Sequence, residues 1–281
     1  MPPSPTKVLY VMGAGRSGST VLGIALGQLR RVFYGGEMHS WFIFEGHPKS
    51  DRPETKELWE RVRKRVSGAE PYFGMKFSRN LEHHRSLFKR PGPELVEAHR
   101  SLTGELMRAI RTETDADWVV DTSHYPRRAA LLRDNPELET HVIHLIRHPV
   151  DVIDALQKNV QRKRPMGVPK ANAYMATVGF LSELEYRRFD AKRRIRVRYE
   201  DFLDDPVATL RAICERFGID AQPLTATDIP TGHVFQGNRV RERESITITP
   251  QPKKRVMGRL AHVASTMVQS PLIAHHRLAR R

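Results

Sequence analysis

Eight consecutive residues near the N-terminus, Gly13-Ala-Gly-Arg-Ser-Gly-Ser-Thr20, bring together three glycines, three hydroxyls and a guanidinium. These are the groups that hold a tetrahedral oxyanion. Gly15 and Gly18 allow the backbone to approach a ligand closely. Ser17, Ser19 and Thr20 supply O–H donors, and Arg16 supplies a planar charged fork. Apolar runs flank the loop, Lys7–Met12 before it and Val21–Leu26 after it. The loop therefore joins a strand to a helix N-terminus, where free N–H groups and the helix dipole favour negative charge. Gly13 and Gly18 have the spacing of a Walker A loop, G-x-x-x-x-G-K-[ST], but Ser19 stands where the lysine belongs. The group that reaches the terminal phosphates of a nucleoside triphosphate is missing. The stretch is a phosphate-type cradle for a different anion.

The elements that position such a cradle follow from hydropathy and turn residues. Strands are expected at 7–12, 31–34, 118–121, 141–146 and 195–199, each an apolar or alternating run. Helices are expected after the loop, around Leu58–Val66, over 94–112, from Arg127, from Pro149, around Tyr174–Leu184 and from Pro206. Pro149 and Pro206 suit the first helical turn, Asp205 suits an N-cap, and Gly218 suits a helix stop. Strand and helix alternate, which predicts an α/β fold with a central parallel sheet covered on both faces. Ligands in such folds sit beyond the C-terminal strand ends. Residues 13–20, Glu37, Ser123, His124 and Arg147 all follow strands, so one crevice should collect them.

Composition narrows the partners. The chain has 281 residues and a net charge of +15, which attracts anions without choosing among nucleic acid, anionic lipid and small phosphorylated or sulfated molecules. From Lys253 to Arg281 there are seven Lys or Arg and no Asp or Glu. This basic tail, expected to be partly helical, allows weak contact with anionic membranes through 253–281. No apolar run has the length of a membrane span, and the first seven residues lack a signal-peptide core, so a cytoplasmic protein is expected. Cys214 is the only cysteine and sits on an apolar helical face, as core rather than nucleophile. The pairs His83-His84 and His275-His276 lack the spacing of metal ligands, so no metal site is expected.

Four motifs, in order, carry a family resemblance. Gly13–Thr20 resembles the 5′-phosphosulfate loop of sulfotransferases that use 3′-phosphoadenosine 5′-phosphosulfate. His144-Leu-Ile-Arg-His-Pro-Val-Asp-Val152 resembles their 3′-phosphate motif, Val197-Arg-Tyr-Glu-Asp-Phe202 their R-Y-E-D-L segment, and His233-Val-Phe-Gln-Gly-Asn-Arg239 an H-x-x-x-G-N-x stretch of bacterial members. The resemblance implies a P-loop-like three-layer sulfotransferase domain over 1–243, with 244–281 as a basic C-terminal extension. It implies transfer of a sulfuryl group to a hydroxyl or amine of a small-molecule acceptor (carbohydrate, lipid or secondary metabolite), with no metal and no specific nucleic acid. Gly15 to Thr20 would bind the 5′ end of the donor, with Arg16 on its phosphate.

Arg147 would bind the 3′-phosphate, and Tyr199 would lie near the adenine. Gly237, Asn238 and Arg239 would complete the donor site. Ala155 occupies the place of a serine that usually adds a 3′-phosphate contact. Gly36-Glu37 resembles the Gly-Glu pair of the tyrosylprotein branch, whose Glu takes the acceptor proton; His39 and His124 are the rival bases. His124 stands where that branch has a lysine on the bridging oxygen, and Ser123 is its neighbour in that role. Two other classes fit parts of the sequence, a small-molecule kinase and a basic nucleic-acid- or membrane-binding protein. The acceptor pocket should be built from 38–56, 72–93 and 161–176, with Trp41, Phe42 and Phe44 either lining it or belonging to the core.

Overall fold

A computed structural model describes residues 4–83, 86, 91–158, 165–250 and 255–278. Its sheet is dictated by strands that are apolar on both sides. In β1 (Thr6–Gly13), Val8, Tyr10 and Met12 enter one buried cluster while Leu9 and Val11 enter another. Side chains alternate across a strand, so a continuous apolar run demands cover on both faces. The other strands are β2 (Val32–Gly36), β3 (Trp118–His124), β4 (Leu138–Ile146) and β5 (Arg194–Arg198). All five pair in parallel, in the order β2-β3-β1-β4-β5. Each expected strand is present.

One face is covered by α1 (Ser19–Gly27) and, after the short α9 (Tyr199–Asp204), by α10 (Pro206–Phe217). The other face is covered by α2 (His39–Ile43), α3 (Pro53–Arg65), α4 (Met75–Leu81), α5 (Pro93–Thr114) and α6 (Pro126–Arg133). Helix α7 (Pro149–Leu156) and the long α8 (Val168–Arg188) form a third cluster at the edge, joined by α11 (Arg259–Val268) and α12 (Ser270–Leu278). The caps act as expected: the Asp205 carboxylate accepts from Ala208 N–H at 2.9 Å, and Gly218 closes α10 in the left-handed region. Trp41 and Phe42 are fully buried in the core, which removes them from any acceptor surface. Cys214 is buried too, and burial pushes its thiol up to about 11.

The register aligns the strand ends that matter. Gly13 pairs with Leu145, Met12 with His124, and Gly36 with Asp121. The C-terminal edge of the sheet thus brings the Gly-rich loop, the residues after β2 and the end of β3 onto one rim.

Two histidines behind this rim make the fold acid-sensitive. Burial, with help from Arg196 and neighbouring charges, depresses His144 to about 3 and His276 to about 4. Both stay neutral in the folded chain, whereas the unfolded chain takes up protons near the ordinary value. Folded pKa values below the unfolded ones mean that stability falls as pH drops from about 6.5 toward 4, by up to about 1.4 kcal/mol per pH unit for each histidine. The melting temperature should fall over that window, and His276→Gln should flatten the fall. An unchanged acid slope in that variant would remove His276 from the account.

Candidate active site

The Gly-rich loop leaves β1 at a point of backbone contact. A Cβ on Gly13 would lie 2.3 Å from the Leu145 carbonyl oxygen, so no side chain fits there. Gly18 has φ +97°, and a Cβ on it would sit 2.1 Å from the Tyr199 ring. Arg16 between them has φ +70°, a left-handed conformation uncommon for a residue with a side chain. The turn presents donors. Among the described residues, the N–H groups of Gly18, Ser19 and Thr20 donate to no protein acceptor. The buried Ser17 hydroxyl likewise lacks a partner. Unsatisfied donors at a helix N-terminus, beside an orphaned buried hydroxyl, make a cradle suited to an anion.

Arg147, at the end of β4, is fastened to this cradle. Its Nη1 donates to the Arg16 carbonyl at 2.8 Å, and its guanidinium stacks 4.7 Å from the centre of the Tyr199 ring. Tyr199 therefore packs against Gly18 on one side and carries Arg147 on another. His124 closes the loop from the β3 side. Its Nε2 lies 3.8 Å from where a Gly15 Cβ would stand, and its own φ is +59°. Strained backbone at both Arg16 and His124, flanking one turn, is a pattern found at ligand sites.

Glu37 is half-buried on the rim, and its N–H donates to the Gln236 carbonyl at 2.8 Å. Residues 234–238 run alongside the end of β2. Phe235 N–H donates to Gly35 O, Gly36 bridges Gln236, and Asn238 N–H reaches Thr20 Oγ1 at 3.4 Å. Gly237 lies against Thr20, whereas the Arg239 side chain is exposed. Tyr125, chiefly by burial and next by the field of Glu37, has its phenol pushed well up. The rings of His39, His83 and His124 surround it at 5.0, 5.2 and 4.5 Å.

Ser123 is fully buried; its hydroxyl donates to Asp121 and accepts the His39 N–H at 3.0 Å. This serine holds the loop after β2 against β3. The expected acceptor segments are described only in part. Residues 84–85, 87–90 and 159–164 lie outside the described residues, and with them most of the basic loop after α7.

Two residues without an expected role organise the rim. Tyr174 of α8 accepts the Gly15 N–H on its hydroxyl at 2.8 Å, fixing the loop from outside. Asp121 at the end of β3 accepts from Met38 N–H, Ser123 N–H and Ser123 Oγ on one oxygen, and from Arg128 Nε at 2.8 Å on the other. Arg128 also pairs with Glu82, which accepts from Ser78 Oγ and lies 2.8 Å from His99 Nε2. Burial raises Glu82, but Arg128 and His99 outweigh it and hold the carboxyl far below the usual range. The one legible sign was an acid closing an apolar strand with an arginine seven residues on, one turn into the next helix.

The pattern described as Sulfotransferase family matches residues 9–223. The chain belongs to the sulfotransferase family. Comparison with curated proteins gives no match. Among solved structures, the fold is similar to the sulfotransferase domain from the curacin biosynthetic pathway, with TM-score 0.57, 17% identity, and 96% of this chain and 98% of that one covered. The sulfotransferase domain of the Synechococcus PCC 7002 olefin synthase aligns with TM-score 0.52 and 19% identity over 95% of each chain. Sulfotransferase STF9 from Mycobacterium avium aligns with TM-score 0.57 and 17% identity over 97% of this chain and 77% of that one. These likenesses establish the sulfotransferase fold, P-loop-like with its parallel five-stranded sheet.

Removing Arg128 tests the network beneath the rim. Arg128→Ala leaves Asp121 and Glu82 buried without their cation, which costs about 3–5 kcal/mol. Denaturant titration should show a loss of that size; a loss under about 1 kcal/mol would mean that the two acids find compensation elsewhere.

Proposed function

We propose that the chain transfers a sulfuryl group from 3′-phosphoadenosine 5′-phosphosulfate to a hydroxyl of a small-molecule acceptor, leaving adenosine 3′,5′-bisphosphate. The supporting observation is the set of undonated N–H groups at Gly18–Thr20 around the buried Ser17 hydroxyl, with Arg147 locked to the same loop. When bound, the donor nucleotide supplies an activated sulfuryl, whose bond to the 5′-phosphate oxygen breaks as the acceptor oxygen attacks. The transferred unit is close to neutral, so fixed N–H dipoles and arginines compensate it without the lysine and Mg²⁺ of phosphoryl transfer.

Gly15, Arg16, Ser17, Gly18, Ser19 and Thr20 hold the phosphosulfate end. Arg147 takes the 3′-phosphate, its plane set by Tyr199 and the Arg16 carbonyl. Asn238 and Gly237 border the donor site beside Thr20, and Arg239 extends it outward. His124, next to Gly15, hydrogen-bonds the departing oxygen. Glu37 removes the acceptor proton. Its side chain is partly exposed and its backbone is pinned by Gln236; the rival His39 is buried, with Ser40 Oγ 3.3 Å from its Nε2.

Thermal melting with nucleotides tests the donor. At a hundredfold excess over Kd, a ligand that binds only the folded state adds about 2.7 kcal/mol, roughly 5 °C for a chain of this size. Adenosine 3′,5′-bisphosphate should give that shift and ADP–Mg²⁺ should not. The reverse pattern would replace the sulfotransferase assignment with a kinase. Glu37→Gln keeps the shape but removes the base, so turnover should fall by about 10²–10⁴-fold with an unchanged bisphosphate shift. Turnover within a few-fold of the wild type would transfer the role to His39 or His124.

A further inference from the structure

Helix α11 is amphipathic in the wrong sense for a helix at a protein surface. Its large apolar side chains, Leu260, Val263 and Met267, follow one another at helical spacing and are 88%, 51% and 70% exposed. Val268 and, just before the helix, Val256 are exposed as well. The opposite face, packed on α7 and α8, carries Ala261, His262 and a fully buried Ser265. Buried polar contacts fix this orientation. Asn172 of α8 donates to Ser265 Oγ at 2.9 Å, and Gln269 donates to the Asn172 carbonyl at 3.0 Å. Asp154 of α7 accepts the N–H groups of Val256 and Met257 at 2.8 Å each. Rolling α11 to bury its stripe would strand these buried polar groups without partners, which is costly. The apolar face is therefore held outward by the rest of the structure.

We infer that this face docks the protein on an anionic lipid surface. The surroundings choose the occupant. Arg255 and Arg259 are exposed beside the stripe, and no acidic residue occurs after Glu244. A second copy would set cation against cation in a chain that carries +15 overall. A ten-residue helix, about 15 Å long and about 10 Å across, also falls short of the roughly 800 Å² per partner of a stable dimer. A bilayer needs no such area. Leu260, Val263 and Met267 enter the boundary between headgroups and acyl chains, and the arginines meet the anionic headgroups. Val263 and Met267 line a shallow groove of about 420 Å³ with Thr266 and Ser270, which adds relief for lipid tails. Among the described residues no helix is long and apolar enough to cross a membrane, so the contact is peripheral. The docking is independent of the donor chemistry proposed above.

Co-sedimentation of the full chain with vesicles tests this. The protein should pellet with phosphatidylcholine vesicles in which a third of the lipid is phosphatidylglycerol, and not with pure phosphatidylcholine. The triple variant L260S, V263S, M267S, and separately the double variant R255E, R259E, should each bind the anionic vesicles at least about tenfold more weakly. If the triple variant melts early, M267W is the second probe, and its emission should shift to the blue on anionic vesicles. The inference is overturned by no pelleting of the wild type with anionic vesicles, by wild-type binding by a well-folded triple variant, or by a dimer in analytical ultracentrifugation that the triple variant abolishes. An unshifted M267W emission on bound protein would do the same.

Discussion

A guanidinium taken out of water is tolerable only where carboxylates meet it, and Arg128 has no exposed surface at all. Asp121 and Glu82 meet it from two sides, and the junction of β2 and β3 on the rim follows from that pairing. Asp121 then has one oxygen left for the N–H groups of Met38 and Ser123, so the chain after β2 is drawn against the end of β3. Glu82 brings α4 and, through His99, α5 to the same point. In a low-dielectric interior each of these bonds is strong and each missing partner is expensive, so the network holds one arrangement. Glu37 and His124 occupy the two segments that Asp121 joins.

The cradle itself is stabilised from outside. Tyr174 takes the Gly15 N–H, Arg147 takes the Arg16 carbonyl, and Tyr199 fills the space that Gly18 leaves open. None of these contacts involves the N–H groups of Gly18, Ser19 and Thr20. The loop is thus shaped by its neighbours, and the left-handed backbone at Arg16 is maintained by contacts rather than by its own preference.

What the sequence disclosed and what it concealed divide along range. The five strands were legible because their apolar runs are local, and the cradle because its glycines, hydroxyls and arginine are contiguous. Tyr174 reads as one more apolar-stripe residue until α8 folds back over Gly15, 159 positions away. Asp121 reads as the end of a strand until Arg128 and Met38 converge on it. Trp41 and Phe42 suited either a pocket or a core; packing against the α4 and α5 layer decided for the core. The tail was legible as basic and helical, but periodicity alone does not say which face of a helix turns inward. Hydrogen bonds to Asn172 made that choice.

The strap from Val234 to Asn238 has a consequence for the order of events during synthesis. It pins both Glu37 and Thr20, yet it lies about two hundred positions downstream of them. Strands β1 to β5 are all present once residue 198 is available, and α10 then covers one face of the sheet. The rim stays unfinished until the strap itself has left the ribosome, so the nascent chain holds all five strands before the contacts to Glu37 and Thr20 can form.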